Sequence, residues 1–271
     1  MPELPDVEGY RRFWAGHAEG RTVDRVITTD AAIVRNATPR ALDHALRGRT
    51  FGPAVRHGKW LSAWTGDGPA MLFHFGMTGL FVWGASASEP TPRHRHDRVI
   101  VELAGGGEVR YRNMRKLGGV WLAHDEAEAR AITGGLGPDA LGVDRRLFRS
   151  LLAPRRGGAK AVLMDQTFVA GIGNLLADEI LWQARTHPKR RVETMSFEDR
   201  DRLFEAMRKV VRESVAAHDD YIPKKKTWLL YVRGAPGALC PRCRTPLERT
   251  EAAGRTTWFC PSCQRLPEAT Q

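Results

Sequence analysis

What the chain lacks narrows its class first. No apolar run is long enough to cross a bilayer, because Gly, His or a charged residue interrupts each candidate within a few positions. Met1-Pro2-Glu3 opens without the apolar stretch of a secretory leader. A cytoplasmic protein with no membrane association is therefore expected. Internal repeats and long low-complexity segments are missing too, which argues against a solenoid or a fibre. Acidic residues are in deficit: 31 Asp and Glu stand against 42 Lys and Arg, giving a formal net charge of +11. Such an excess points to a polyanionic partner, nucleic acid above all, although a merely solvated basic surface has the same composition.

Cysteine is scarcer still. The four in the chain all fall in Cys240-Pro-Arg-Cys243 and Cys260-Pro-Ser-Cys263, a spacing typical of zinc sites. Each pair can sit on a tight knuckle. Together the thiolates complete one tetrahedral Zn2+ shell with no open position, so the metal would hold structure and perform no chemistry. Two disulfides of a secreted domain are the alternative, disfavoured by the missing leader. Between the pairs, Ala252-Ala253-Gly254-Arg255 reads as a turn presenting Arg255 at its tip, followed by a strand over Thr256-Thr257-Trp258-Phe259.

With 271 residues there is room for two ordinary domains and this small module. A first helix is drawn from about Pro5, with Val7, Tyr10 and Trp14 on one face. Glu3, Asp6 and Glu8 gather at its positive end, where acids are common stabilisers. Thr38, Pro39 and Gly48 cap, start and end a second helix. From Thr50 to about Ala123 the period becomes that of strands: Val99, Val101 and Leu103 alternate, Gly105-Gly106-Gly107 turns the chain, and Val109 and Tyr111 resume. An antiparallel sandwich or barrel follows from this. After Leu136-Gly137-Pro138 the pattern is helical. Asn174 is placed to cap a helix through Leu176, Ile180, Leu181 and Ala184 that His187-Pro188 stops. Gly171-Ile172-Gly173 ahead of it leaves that N-terminus open to an anion such as phosphate. Ser196 with Asp199 has capping-box spacing for a helix burying Leu203, Met207, Val210 and Val211. The run Lys224-Lys225-Lys226 suits either a phosphate contact or a solvated loop.

Several motifs then align with one family. Pro2-Glu3-Leu4-Pro5-Asp6-Val7-Glu8, Gly58-Lys59, His74-Phe75-Gly76-Met77-Thr78-Gly79, Asp165-Gln166 with Val169-Ala170-Gly171-Ile172-Gly173-Asn174, Ala177-Asp178-Glu179, and the cysteines ending in Gln264 resemble the formamidopyrimidine-DNA glycosylase and endonuclease VIII family. The likeness runs in order over nearly the whole chain, and Leu4 with Ala177-Asp178-Glu179 is closer to the formamidopyrimidine branch.

The resemblance implies an α+β protein: an N-terminal helix and antiparallel β-sandwich over 1–130, a helix–two-turn–helix domain over 131–235, and a zinc finger over 236–271. It implies a bifunctional glycosylase and abasic-site lyase of base excision repair, acting as a monomer on damaged double-stranded DNA in the cytoplasm, at the nucleoid. Pro2, freed by removal of Met1, matches the Schiff-base nucleophile, Glu3 the acid beside it, and Lys59 the lysine holding phosphate near the lesion. Asn174 and Arg255 match phosphate ligands, and His74 lies in a DNA-contacting motif. Met77, Arg115 and Leu117 match the residues that fill the gap left by a flipped nucleotide.

Departures bear on substrate range. The usual Asp-Pro-Arg-Arg-Phe-Gly is here Asn113-Met114-Arg115-Lys116-Leu117-Gly118, so the wedge is leucine and not aromatic. Asp6 replaces a common glutamate and Leu176 a common tyrosine. The stretch from Asp220 to Leu230 is short and basic where the oxidised-purine branch has a longer glycine-rich cover for the flipped base. Weaker 8-oxoguanine excision is expected, with ring-opened purines, oxidised pyrimidines or abasic sites handled better. Two other classes stay open: a lesion-binding protein with little base excision, and a zinc-containing transcription or RNA-binding module, which leaves the N-terminal acids unexplained.

Overall fold

Pro5 sits in the first turn of α1 (Leu4–His17), where its missing N–H is not needed. Further along, Val7 and Trp14 are fully buried. The computed structural model describes residues 2–66, 68–84, 91–217 and 225–266. They form two compact units, one of Met1–Pro2 with Asp6–Gly135, the other of Glu3–Pro5 with Leu136–Gln271.

The first unit is a sandwich of two antiparallel sheets. One has the order β1 (Val23–Thr28), β6 (Asp97–Leu103), β7 (Glu108–Asn113), β5 (Gly79–Gly84). The other has β2 (Ala54–His57), β3 (Trp60–Trp64), β4 (Ala70–His74), β8 (Gly119–Ala123). Alternation decides the inward faces: Val99, Val101, Val109 and Tyr111 of one sheet share a core with Leu61, Ala63, Met71 and Phe73 of the other. Trp14 of α1 and Leu42 and Leu46 of α2 (Pro39–Leu46) join it. Thr38 caps α2, its side chain accepting from Ala41 N, as expected. Strand β4 is buried on both faces, because α3 (Glu126–Thr133) covers Ala70 and Leu72 through Ala129 and Ile132.

The second unit packs α4 (Arg145–Leu152), α5 (Ala159–Met164), α6 (Asn174–Gln183) and α7 (Phe197–Ala216) around Phe148, Phe168, Ile180, Leu203 and Met207. Ser196 and Asp199 make the expected reciprocal capping box on α7. Helix α6 ends sooner than expected: Ala184 is its C-cap and Arg185 turns left-handed at φ 54°, ahead of Pro188. Short α8 (Leu229–Val232) leads to the hairpin β9 (Glu248–Ala252) and β10 (Arg255–Phe259). Its two-residue turn, Ala253-Gly254, has positive φ at both positions (55° and 64°), as a hairpin of matched twist requires. Arg255 opens β10, opposite Ala252. Among the described residues no helix is long and apolar enough to cross a membrane.

Candidate functional site

Glu3, next in the chain to Pro2, lies at the head of α6. Its Oε2 accepts from Gly173 N at 2.7 Å and Leu176 N at 3.2 Å, and its Oε1 from Leu175 N at 2.8 Å. These are N–H groups that a helix start cannot pair internally, and the carboxylate also meets the positive end of the dipole. The sequence leaves this N-terminus open for phosphate, with Asn174 as its cap; the structure corrects both expectations. Gly173 is the N-cap residue, Asn174 is the first helical residue, and the chain's own Glu3 brings the anion. A Cβ on Gly173 would stand 2.3 Å from Glu3 Cδ, so glycine is what admits the carboxylate. Asn174 turns elsewhere: its Nδ2 donates to Thr256 O at 3.3 Å, the carbonyl beside exposed Arg255.

In the first unit, two loops meet backbone to backbone. Gly76 has φ 61°, and a Cβ there would stand 2.4 Å from Gly118 N; one on Gly118 would stand 2.0 Å from His74 O. Asn113 binds the loops from beneath. Its Oδ1 accepts from Thr78 Oγ1 at 3.1 Å and Lys116 N at 2.9 Å, while its Nδ2 donates to Tyr111 Oη at 2.7 Å. Arg115 N donates to Thr78 Oγ1 at 3.0 Å, and Arg35 donates to Lys116 O at 2.7 Å and Gly118 O at 2.6 Å. On this fixed backbone Met77, Met114 and Leu117 are exposed by 40%, 56% and 57%, which suits an apolar surface awaiting a partner. Arg115 Nη1 lies 3.1 Å from Met77 Sδ, so these two expected wedge residues are neighbours. The sequence does not mark Arg35, because it acts through carbonyls 81 and 83 positions away.

Lys59 follows Gly58 in the turn between β2 and β3. His74 ends β4, with its ring 5.0 Å from that of Trp60. Burial, with the Lys59 charge, pushes the His74 pKa down to about 4. The imidazole is thus neutral near physiological pH and can donate a hydrogen bond to phosphate without adding charge. Glu8 departs from the helix-end role expected of the acid cluster. It pairs with Arg11 at 2.9 Å and Arg56 at 3.1 Å. Burial raises its pKa, but hydrogen bonds and charge from both arginines outweigh that and hold it below the usual carboxylate range.

The four cysteines converge at the end of the second unit, every Sγ within 4.8 Å of the others. Cys240 and Cys263 stand 3.9 Å apart and Cys243 and Cys260 3.4 Å, near the ~3.8 Å that a tetrahedron of about 2.3 Å Zn–S bonds requires. Trp182 Nε1 donates to Cys240 Sγ at 3.3 Å and Cys263 N to Cys260 Sγ at 3.4 Å. Such donors suit thiolates bound to metal. The set fits one structural zinc ion.

The five residues 220–224 of the basic Asp220-to-Leu230 stretch, Lys224 of the lysine run included, lie outside the described residues.

Three family models match in succession: the formamidopyrimidine-DNA glycosylase N-terminal domain over residues 1–120, the formamidopyrimidine-DNA glycosylase H2TH domain over 136–225, and the zinc finger found in FPG and IleRS over 237–266. The formamidopyrimidine-DNA glycosylase of Heliobacterium modesticaldum is 35% identical, across 98% of this chain and 100% of its own. That of Geobacter sulfurreducens is likewise 35% identical over 98% and 100%. Among solved structures, the Lactococcus lactis Fpg in complex with DNA containing N7-benzyl-Fapy-dG superposes with TM-score 0.88 at 28% identity, covering 97% of this chain and 100% of that one. The same organism's Fpg with abasic-site DNA gives 0.86 at 28%, covering 97% and 99%.

Proposed function

The chain belongs to the formamidopyrimidine-DNA glycosylase family, and from that premise we propose that it removes damaged bases and cleaves the resulting abasic strand through an N-terminal proline Schiff base. It is a DNA glycosylase of base excision repair with a zinc finger. The observation that carries the finer reading is Glu3, held by three backbone N–H groups one residue from Pro2.

Once Met1 is removed, Pro2 offers a secondary amine, and an α-amino group titrates at roughly 7.7–8.0, so a useful fraction is neutral near physiological pH. The nitrogen attacks the sugar C1′, the glycosidic bond breaks, and the base leaves with its electron pair. Glu3, ionised by its three N–H donors, takes the proton that the Pro2 nitrogen sheds and hands it to the opening sugar or departing base. The iminium ion so formed acidifies the C2′ hydrogen. Its loss expels the 3′-phosphate, and a second elimination expels the 5′-phosphate.

Lys59, His74, Asn174 and Arg255 are the phosphate contacts in this reading, positioning DNA without reading its sequence. Met77, Arg115 and Leu117 fill the vacated stack, offsetting a flipping penalty of a few kcal/mol. The protein acts as a monomer on damaged duplex DNA, in the cytoplasm at the nucleoid. Leu117 also supports a second reading, lesion binding with little excision, because a leucine forgoes aromatic stacking worth roughly 1–3 kcal/mol per base.

Single-turnover rates on matched duplexes test both. Abasic and ring-opened purine substrates should be cleaved fast, and 8-oxoguanine opposite cytosine at least about tenfold more slowly, since specificity after flipping comes from contacts to the base edge. Equal rates for 8-oxoguanine and the abasic strand would contradict the expected substrate range. Tight binding with no strand cleavage would favour the second reading.

A further inference from the structure

A lysine and an aspartate buried completely are unusual in a chain this rich in surface charge, and the chemistry above uses neither. Lys160 on α5 and Asp178 on α6 form an ion pair at 2.6 Å with both side chains 0% exposed. Taking two charges out of water is unfavourable unless every remaining proton and lone pair finds a partner. Here they do. Lys160 Nζ also donates to Thr257 Oγ1 at 2.7 Å and Thr256 O at 3.5 Å. The other oxygen of Asp178, Oδ2, accepts from Arg233 Nε at 2.8 Å and from Trp258 N at 3.2 Å.

The partners on the hairpin share a position. Thr256 O and Trp258 N belong to β10, whose pairing with β9 is set by the register Arg255 opposite Ala252 through Phe259 opposite Glu248. In place of a third strand, the cluster satisfies both groups. Thr256 O alone draws Asn174 Nδ2 at 3.3 Å, Arg233 Nη2 at 3.1 Å and the more distant Lys160 Nζ. One carbonyl, adjacent to Arg255, thus joins the hairpin to the first residue of α6. Zinc folds the finger, and its cysteines meet α6 near the helix end, where Trp182 donates to Cys240 Sγ; where the hairpin lies toward the start of α6 is a separate matter. The buried pair decides it.

We propose that Lys160, Asp178 and Arg233 are positioning residues that register Arg255 against Asn174, so that the two grip the DNA backbone together. The assignment rests on the reading that Asn174 and Arg255 are phosphate ligands. It predicts coupling and not merely damage: removing the Lys160 charge should weaken DNA binding only where Arg255 is present to be misplaced.

The test is a double-mutant cycle between Lys160→Met and Arg255→Ala in the full-length zinc-loaded protein. Affinity is measured on a duplex carrying a tetrahydrofuran abasic analogue, and cleavage of a true abasic duplex is followed at saturating enzyme. Loss of one charge-assisted phosphate contact should weaken binding about tenfold in K160M. In the R255A background the same change should cost less than about twofold in affinity, and cleavage of DNA bound by K160M alone should stay within about twofold of the parent. Lys160→Arg, which keeps the charge, should restore part of the affinity. Thr257→Val, which removes one acceptor and leaves the ion pair, should show the same coupling more weakly, and serves if K160M does not fold. Zinc content and melting temperature accompany each variant. Equal losses with and without Arg255, or a fall in cleavage at saturation, would overturn the positioning role. R255A binding as tightly as the parent would instead overturn the phosphate role of Arg255, and this assignment with it.

Discussion

At the scale of single residues, backbone geometry sets what Glu3 can do. Its carboxylate occupies space that any side chain at position 173 would need, with Glu3 Oε1 only 2.5 Å from where a Cβ would stand. Gly173→Ala should therefore displace the proton carrier while leaving the phosphate contacts in place. Abasic-strand cleavage by bound enzyme should fall about a hundredfold, the lower end of the range for losing a general acid–base, with affinity changed by only a few-fold; unchanged cleavage would remove Glu3 from the mechanism. Glu179 gives a second residue-scale prediction. It is fully buried, and Leu230 N donates to its Oε2 at 3.0 Å. Burial outweighs the hydrogen bonds of Gln183, Leu230 and Leu229 and lifts its pKa to about 7. A carboxyl raised in the folded state holds its proton more tightly than in the unfolded chain. Its contribution is therefore complete below the unfolded value of 4.5 and is lost as pH rises toward about 7. Melting temperatures across that window should show a decline that Glu179→Gln flattens; parallel profiles for the two proteins would contradict the assignment.

At the scale of elements, the zinc finger is the piece most nearly independent of the chemistry. A closed four-thiolate shell stabilises the β9–β10 hairpin and offers no coordination position to a water or substrate. Chelation should weaken DNA binding through loss of the Arg255 hairpin, without slowing cleavage in complexes that still form. Active protein free of zinc by metal analysis would exclude a structural metal. This element is also the one most legible in the sequence, because cysteine spacing and a Gly-containing turn are local signals. The Thr38 cap on α2 and the Ser196–Asp199 box on α7 are legible for the same reason: donor and acceptor lie within three positions. What escapes local reading is whatever is satisfied from afar. Glu3 caps a helix that begins 171 positions later, so Asn174, sitting where a cap belongs, draws the expectation instead. Lys160 looks like an ordinary helical lysine until Asp178 and Thr257 are folded around it. Arg35, likewise, has no neighbour in sequence that hints at the loops it fastens.

At the scale of the molecule, charge and topology agree on the partner. A net charge of +11 and a two-sheet sandwich followed by a helical unit and a metal hairpin are legible in composition and periodicity, and the family models match in the same order. The family resemblance supplies what periodicity cannot, a role for the extreme N-terminus. That Pro2 is the nucleophile is a claim reductive trapping can decide. Borohydride added during reaction with an abasic duplex should fix the DNA to the N-terminal peptide, with mass analysis placing the adduct on Pro2. Protein that retains Met1, and so lacks the secondary amine, should not trap; equal trapping by that blocked protein would contradict the claim.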